Sequence, residues 1–187
     1  MPFPYYRRLS ARDRRIYDAS DAVPAIELQD ASGLSPAVAE IVRALAAEDR
    51  REVESFSQRL ADGVCRRLGV SPVEVRVLAA RPSGDYGELH GLYEPELAPP
   101  RVTVWMRTAA KRRVVAFRSF LRTLIHELLH HLDYEYLRLA ETFHTEGFFR
   151  RESSLVRQLL GGPEIRPPDG SEPAGGESEG PSARQRH

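Results

Sequence analysis

The sequence predicts an α+β fold built as a single domain with a short extension at each end. Apolar residues recur at helical spacings of three and four before and after the middle of the chain, and the segments between alternate apolar and polar residues as strands do. The 187 residues, 41% of them hydrophobic, suffice for one core. We therefore expect a small mixed or antiparallel sheet of about three strands, packed on a central helix and flanked by further helices.

The first part of the chain is expected to begin as an irregular arm and to continue as helix. Residues 1–34 are rich in Arg, carry three prolines and show little periodicity. Ser35 and Pro36 predict a helix start, with Ser as the N-cap and Pro in the first turn. Apolar residues at helical spacing continue up to Gly69, which predicts a C-terminal cap. The charged residues 48–51 leave open whether this stretch is one helix or two.

Three short segments in the middle of the chain are predicted to be strands. Residues 72–78 and 101–107 alternate apolar with polar side chains and are rich in β-branched residues. A shorter candidate at 89–93 is ended by Pro95, because proline cannot donate to a sheet ladder. Turn residues at 82–85 predict a loop between the first two strands.

The remaining sequence predicts two more helices and a tail. An apolar face runs through 114–139, and its width indicates a helix buried in the centre of the domain; a second helical pattern covers 147–160. Gly, Pro, Ser and Glu dominate 161–187, and such a segment cannot bury enough apolar surface to offset its ordering entropy. We expect one domain over 35–160, followed by a disordered tail.

Composition excludes several classes of function. The chain carries 27 basic and 27 acidic side chains, and this neutrality argues against broad electrostatic binding to nucleic acid or to a membrane surface. Cys65 is the only cysteine, which excludes an intrachain disulfide and a cysteine-rich zinc ribbon. The chain has no run of about 18 apolar residues and no apolar signal-peptide core at its start, so we expect a cytoplasmic protein.

The most informative motif is His-Glu-Leu-Leu-His at residues 126–130. Positions i and i+4 lie on one face of a helix, so His126 and His130 can share one zinc ion. Glu127 is next to the first ligand and can reach a metal-bound water without binding the metal itself. The motif predicts a zinc-dependent hydrolase in which the two His are metal ligands and Glu127 is the general base.

A catalytic zinc site needs a third protein ligand and one position open to water. His144 is the preferred candidate, because a third neutral imidazole repeats the ligand chemistry of the first two. It follows the motif by fourteen residues, at the expected start of the next helix. A carboxylate from that helix region is the alternative, and the candidates are Glu141, Glu146 and Glu152.

Three other polar residues are expected to act in other ways. Asp133 lies about one turn beyond His130, where it either orients a ligand imidazole through its free N–H or is a solvated or capping residue. His131 points about 100° away from its neighbour around the helix, so we expect it to pack or to form hydrogen bonds. His90 has no partner in the sequence pattern and is expected to be structural or exposed.

The stretch 121–160 resembles the SprT-like zinc metallopeptidases. In that family the third His begins a helix and a bulky aromatic residue follows one turn later, as His144 and Phe148 do here. The strand at 102–106 is similar to the family's edge strand beside the active-site helix. The resemblance implies a zincin-like fold with one catalytic Zn²⁺ held by three His. It also implies that the substrate is a peptide or protein. The family's common C-terminal zinc ribbon is missing.

The hypothesis is therefore hydrolysis of a peptide bond by a zinc-activated water, with Glu127 as general base. One alternative is a catalytically silent, metal-binding regulatory or interaction module, although such a scaffold has no need of the Glu. A second is a gluzincin-type peptidase with Glu141 or Glu146 as third ligand, and a third is an enzyme that hydrolyses a non-peptide amide.

The sequence leaves the substrate contacts open. Strand 101–107, if it is an exposed edge, is expected to pair with an extended substrate through backbone hydrogen bonds. A donor to the oxyanion is also needed. The candidates are Tyr93, Tyr134, Tyr136 and the pair Arg150 and Arg151.

Overall fold

A computed structural model describes residues 3–84 and 87–161 of the chain. In these ranges three α-helices precede the strands and two follow them, so the fold is α+β, as predicted. No helix in the described ranges is long and apolar enough to cross a membrane. The elements, in chain order, are α1 (Ala11–Asp21), α2 (Ser35–Ala46), α3 (Arg50–Leu68), β1 (Glu74–Ala80), β2 (Ser83–Gly84), β3 (Gly87–Glu88), β4 (Gly91–Glu94), β5 (Arg101–Arg107), α4 (Phe117–Glu135) and α5 (Glu146–Leu159).

The main sheet has the strand order β1-β5-β4, with β1 parallel and β4 antiparallel to β5. The bounds of β5 match the predicted strand at 101–107, but β5 lies between β1 and β4 and is not the edge strand that the family resemblance implies. Its residues 102–106 are all buried, as in a central strand with both faces covered. The edge strand beside α4 is β4 instead. In addition, β2 and β3 form a short hairpin where the sequence predicts only a loop.

Strand register decides which side chains of β4 face the helices. In this sheet α3 packs on β1, and α4 packs on β4 and β5. Gly91 lies opposite Val104 and Tyr93 lies opposite Val102, and both of these valines belong to the apolar core beneath α4. Because side chains alternate between the two faces of a strand, Gly91 and Tyr93 also face α4.

The N-terminal arm is more regular than the sequence predicts. Residues 1–34 were expected to be irregular, but they contain helix α1, which packs against α5. The Ser10 side chain caps α1 by accepting from the Asp13 amide, and Tyr17 is almost completely buried. Only Tyr17 and Ser20 of this helix are buried, so its sequence lacks a row of apolar residues at helical spacing. Tertiary packing, rather than amphipathic patterning, stabilises it.

The predicted helical stretch from 35 onward is two helices. The break comes at Glu48, which has φ of +56°, and Asp49, whose carboxylate caps α3. Gly69 is the left-handed C-cap that the sequence predicts, with φ of +65°. Ser35, by contrast, is not an N-cap: its φ of −54° and ψ of −37° are helical, because a 3₁₀ turn over Ala31–Leu34 leads straight into α2.

The two C-terminal helices lie inside the predicted ranges, except that α5 begins one residue earlier. Helix α4 ends at Glu135, and an irregular segment, 136–145, connects it to α5. The side chain of Thr145 caps α5 by accepting from the Phe148 amide, 2.9 Å away. The predicted disordered tail, 161–187, lies outside the described residues apart from Gly161.

Candidate metal centre

Three imidazoles converge beside the middle of α4. His126 and His130 lie one turn apart on the helix, and the connecting segment carries His144 back over them. The His144 Nε2 atom is 2.9 Å from Nε2 of His126 and 3.2 Å from Nε2 of His130. The structure thus brings together the three residues that the sequence predicts as ligands. They form the one group of metal-binding side chains found among the described residues, and it contains no carboxylate.

The hydrogen bonds of the outer ring nitrogens fix which atoms face the centre. His126 Nδ1 lies 2.8 Å from a Glu152 carboxylate oxygen, which can only accept, so Nδ1 carries the proton and Nε2 carries a lone pair. His130 Nδ1 lies 2.8 Å from the Thr142 hydroxyl oxygen, and that hydroxyl donates to the Asp133 carboxylate. Nδ1 of His130 therefore donates as well, and its Nε2 is also bare, that is, it carries a lone pair and no hydrogen.

This donor set fits a divalent cation. Zinc bonds to imidazole are roughly 2.0–2.1 Å long, which separates two ligand nitrogens of a tetrahedral site by roughly 3.3 Å. The observed separations of 2.9 and 3.2 Å are close to this value. If Nε2 of His144 carries a proton, that one proton must be shared between the lone pairs of His126 and His130. A cation at the centre would instead accept a lone pair from each of the three rings.

Burial keeps two of the rings in the form that binds metal. It lowers the pKa of His130 to about 3, with help from the charges of His126 and His144. The pKa of His144 is also lowered, first by burial and then by the charge of His126. Neutral imidazole is the species that coordinates a metal, and the lowered pKa values mean that these two rings are already neutral at neutral pH.

A buried polar chain orients His130. Its Thr142 partner donates to Asp133 at 2.9 Å, and Asp133 pairs at 2.9 Å with the guanidinium of Arg151. Both members of this ion pair are 0% exposed. Arg151 also donates to the Ser20 and Val23 carbonyls at the end of α1. Asp133 therefore acts on the imidazole through Thr142, rather than directly as the sequence predicts. Thr142 itself carries no sequence signal.

A second carboxylate orients His126. The Glu152 side chain is 4% exposed, and it accepts from His126 through one oxygen and from Arg122 through the other, both at 2.8 Å. The sequence left Glu152 open as a metal ligand, but its oxygens contact the outer nitrogen of the imidazole. This is the arrangement in which a carboxylate fixes the tautomer of a metal-binding His.

The other two candidate carboxylates also lie outside the cluster. Glu141 accepts from the Tyr134 hydroxyl at 2.8 Å and from the Thr142 amide. Glu146 forms an ion pair with Arg150 on the surface of α5. Neither carboxylate joins the three imidazoles, so the geometry favours His144 over both as the third ligand.

Glu127 lies beside the cluster with its side chain against β4. It is 8% exposed, and its carboxylate occupies the space where residue 91 would carry a Cβ: an added Cβ would lie 2.3 Å from Oε1. Burial raises the pKa of Glu127 to about 7, against a lowering effect of His126. A carboxyl group with this pKa can accept and return a proton at neutral pH. The sequence contained no sign of the role of Gly91.

Two open cavities meet at the motif. One, of about 430 Å³, extends past Tyr93 and Tyr134 toward Glu96 and Glu141. The other, of about 420 Å³, extends past Thr123 toward His90, Arg122 and Phe149. Gly91, His126 and Glu127 line both, so together the cavities form a cleft that crosses the site. His90, expected to be structural or exposed, is an exposed residue of this cleft.

The predicted oxyanion donors differ in their access to the cleft. Tyr93 and Tyr134 line it, but their protons are engaged. Tyr93 donates to Nδ1 of His131, because the other nitrogen of this ring donates to the Ser71 carbonyl, and Tyr134 donates to Glu141. Arg151 is buried in its ion pair. Tyr136 and Arg150 line neither cavity. The prediction that His131 forms hydrogen bonds is confirmed.

Comparison of the chain with protein-family models, with curated proteins and with solved structures finds no match. The resemblance to SprT-like metallopeptidases therefore stays a prediction from the motif and its spacing.

Proposed function

We propose that this protein is a zinc-dependent metallopeptidase of the SprT-like type, with a zincin-like domain that hydrolyses peptide bonds. One observation carries the proposal: three imidazoles converge, two of them with bare nitrogens, beside a buried carboxyl group in an open cleft. His126, His130 and His144 would hold the metal. When bound, zinc supplies a Lewis acid that polarises the scissile carbonyl and lowers the pKa of water to around 7.

The protein's own groups perform the proton transfers. Glu127 accepts a proton from the attacking water and later delivers it to the leaving amine nitrogen. Burial raises the pKa of this carboxyl group, which favours its uptake of the proton. Meanwhile Glu152 and Thr142 hold their imidazoles in the tautomer that presents Nε2 to the centre. These contacts organise the site before substrate arrives.

The shape of the cleft supports an extended peptide as the substrate. Both cavities are open, and they continue on either side of Glu127. The edge strand β4 runs along the cleft, and among the strands of the described residues it pairs in the sheet with β5 alone. Its outer side takes the role that the sequence assigned to 101–107, namely pairing with the substrate backbone. The cytoplasmic location stays a prediction from the sequence.

The test combines metal analysis with a peptidase assay on the full-length protein. We expect one zinc per chain by atomic spectroscopy and cleavage of casein or of a peptide library. Glu127→Gln should retain the zinc and lose cleavage, whereas Glu96→Gln, which changes an exposed carboxylate in the same cleft, should retain both. His144→Ala should weaken zinc binding and Glu141→Ala should not.

Each outcome separates the competing hypotheses. Wild-type protein that binds no zinc contradicts the whole proposal. Protein that binds zinc but cleaves no peptide supports a silent metal-binding module or a different amide substrate. Loss of zinc in Glu141→Ala with retention in His144→Ala supports the gluzincin-type alternative.

A further inference from the structure

His144 lies on the part of the site that has the least regular support. His126 and His130 are fixed by the backbone hydrogen bonds of α4, but His144 belongs to the irregular segment 136–145. The described backbone hydrogen bonds of this segment join residues 136, 137 and 139 to α4, and they join Thr145 to Phe143 and to Phe149 of α5. None of them involves His144 itself. The position of the third imidazole must therefore be fixed by contacts from elsewhere in the fold.

The N-terminal arm supplies one such contact to the backbone. The Tyr5 hydroxyl donates to the His144 carbonyl at 2.7 Å, across 139 residues of sequence. The Tyr5 ring packs edge-on against Tyr17 of α1, with ring centroids 5.9 Å apart, and Tyr17 is almost completely buried. The half-buried Tyr5 ring is thus held against a core residue, although its hydroxyl lies at the surface.

The same arm also supports the imidazole ring through Phe149. His144 stacks on Phe149, with ring centroids 5.8 Å apart and planes inclined by 21°. Phe3 in turn contacts Phe149 edge-on at 6.0 Å, and it stacks on Tyr5 at 6.2 Å. The arm therefore contacts the third ligand residue at its carbonyl, and it contacts the aromatic ring on which the imidazole rests.

We propose that Tyr5 is a positioning residue for the third metal ligand, so that the N-terminal arm helps to hold His144 at the metal site. The inference rests on the proposed metal centre, because it concerns how firmly His144 is held toward the ion. Without the Tyr5 donor, the connecting segment samples more conformations, and metal binding must order it again. The result is weaker zinc affinity in a protein whose fold and other two ligands are unchanged.

Two neighbouring tyrosines provide a matched pair of variants in the full-length protein. Tyr5→Phe removes only the hydroxyl that contacts His144. Tyr6→Phe removes the hydroxyl that donates to Asp18 at 3.1 Å, within the arm and away from the site. We expect Tyr5→Phe to weaken zinc binding by roughly threefold to tenfold in a chelator-competition titration, as for the loss of one hydrogen bond. Tyr6→Phe should bind zinc as the wild type does.

A double-mutant cycle tests whether the effect passes through His144. The backbone carbonyl remains in His144→Ala, but the ligand is gone. Tyr5→Phe should then cause no further loss of the residual zinc affinity. The absorption spectrum of the Co²⁺-substituted protein gives a second readout: Tyr5→Phe should change the ligand-field bands and Tyr6→Phe should not.

The failures are distinguishable. Wild-type protein without zinc affinity overturns the proposed function itself. Wild-type affinity in Tyr5→Phe overturns only the positioning role. Equal losses in Tyr5→Phe and Tyr6→Phe, or the same loss of affinity in the His144→Ala background, would mean that the arm stabilises the fold as a whole, which also overturns it.

Discussion

Replacing Gly91 by alanine should disable Glu127 while leaving the metal ligands in place. Gly91 lies on β4 opposite Val104 and faces α4. Its backbone is not in the left-handed region, so alanine brings no backbone strain there. The added methyl would lie 2.3 Å from Oε1, 2.5 Å from Cγ and 2.7 Å from Cδ of Glu127, whereas ordinary contacts lie at 3.4–4 Å. The carboxylate must therefore move by roughly 1 Å or more.

The expected cost in rate follows from that displacement. A misplacement of about 1 Å in a reacting group can reduce the rate by about 10²-fold, and complete loss of a general base costs about 10²- to 10⁴-fold. We expect kcat to fall by about 10²-fold or more in Gly91→Ala. Zinc stoichiometry should be unchanged, because the three atoms nearest to the added methyl all belong to Glu127, which is not one of the proposed ligands. Overpacking should lower the free energy of unfolding by about 1–3 kcal/mol.

The assay compares kcat on one peptide substrate with zinc content and urea unfolding in the same preparation. Gly84→Ala is the control, because a Cβ at position 84 meets nothing within 4 Å. Glu127→Gln and the double variant complete a cycle, and Gly91→Ala should add nothing once the carboxylate is gone. Wild-type kcat in Gly91→Ala, or loss of its zinc, would show that the reasoning about this contact is wrong.

Three further predictions concern the buried groups around the ligands. Thr142→Val removes the hydroxyl between His130 and Asp133, so zinc affinity should fall by about 10- to 100-fold in a chelator competition. Arg151→Met leaves the Asp133 carboxylate buried without its partner, and urea unfolding should report a loss of about 3–5 kcal/mol. The metal-free protein should lose stability as the pH falls from 4.5 to 3. The pKa of His130 is about 3 in the folded protein and 6.5 ordinarily, so in this range the imidazole is protonated in the unfolded chain but not in the folded one. Glu127, with its pKa raised to about 7, adds stability as the pH falls toward 4.5 but contributes no further change below about pH 4.5. Between pH 4.5 and pH 3, His130→Gln should therefore lose less stability than the wild type.

The features that the sequence predicts well are those with a strong local signal. The motif at 126–130 fixes its own geometry, because any helix brings positions i and i+4 together. The alternation at 101–107 reproduces the bounds of β5, and Gly69 adopts the left-handed cap that its chemistry favours. In each case a few neighbouring residues suffice to determine the local structure.

The features that the sequence misses depend on distant partners. Nothing near Gly91 indicates that a carboxylate will occupy the place of its missing side chain, since Glu127 is 36 positions away in the chain. The central position of β5 depends on which strands pair, and local alternation does not encode pairing. Likewise α1 is stabilised by packing on α5, so its sequence lacks the apolar stripe by which a helix is usually recognised.

The supports of the three imidazoles come from three different parts of the fold. Glu152 of α5 orients His126, Thr142 of the connecting segment orients His130, and the N-terminal arm contacts His144. These contacts hold the Nε2 atoms of His126 and His130 at 2.9 and 3.2 Å from Nε2 of His144. A single proton on His144 can form a hydrogen bond to only part of this arrangement. Because these supporting contacts come from the fold itself, they meet part of the ordering cost of a metal site. A bound cation should therefore stabilise the native protein against unfolding, since the unfolded chain has no comparable site.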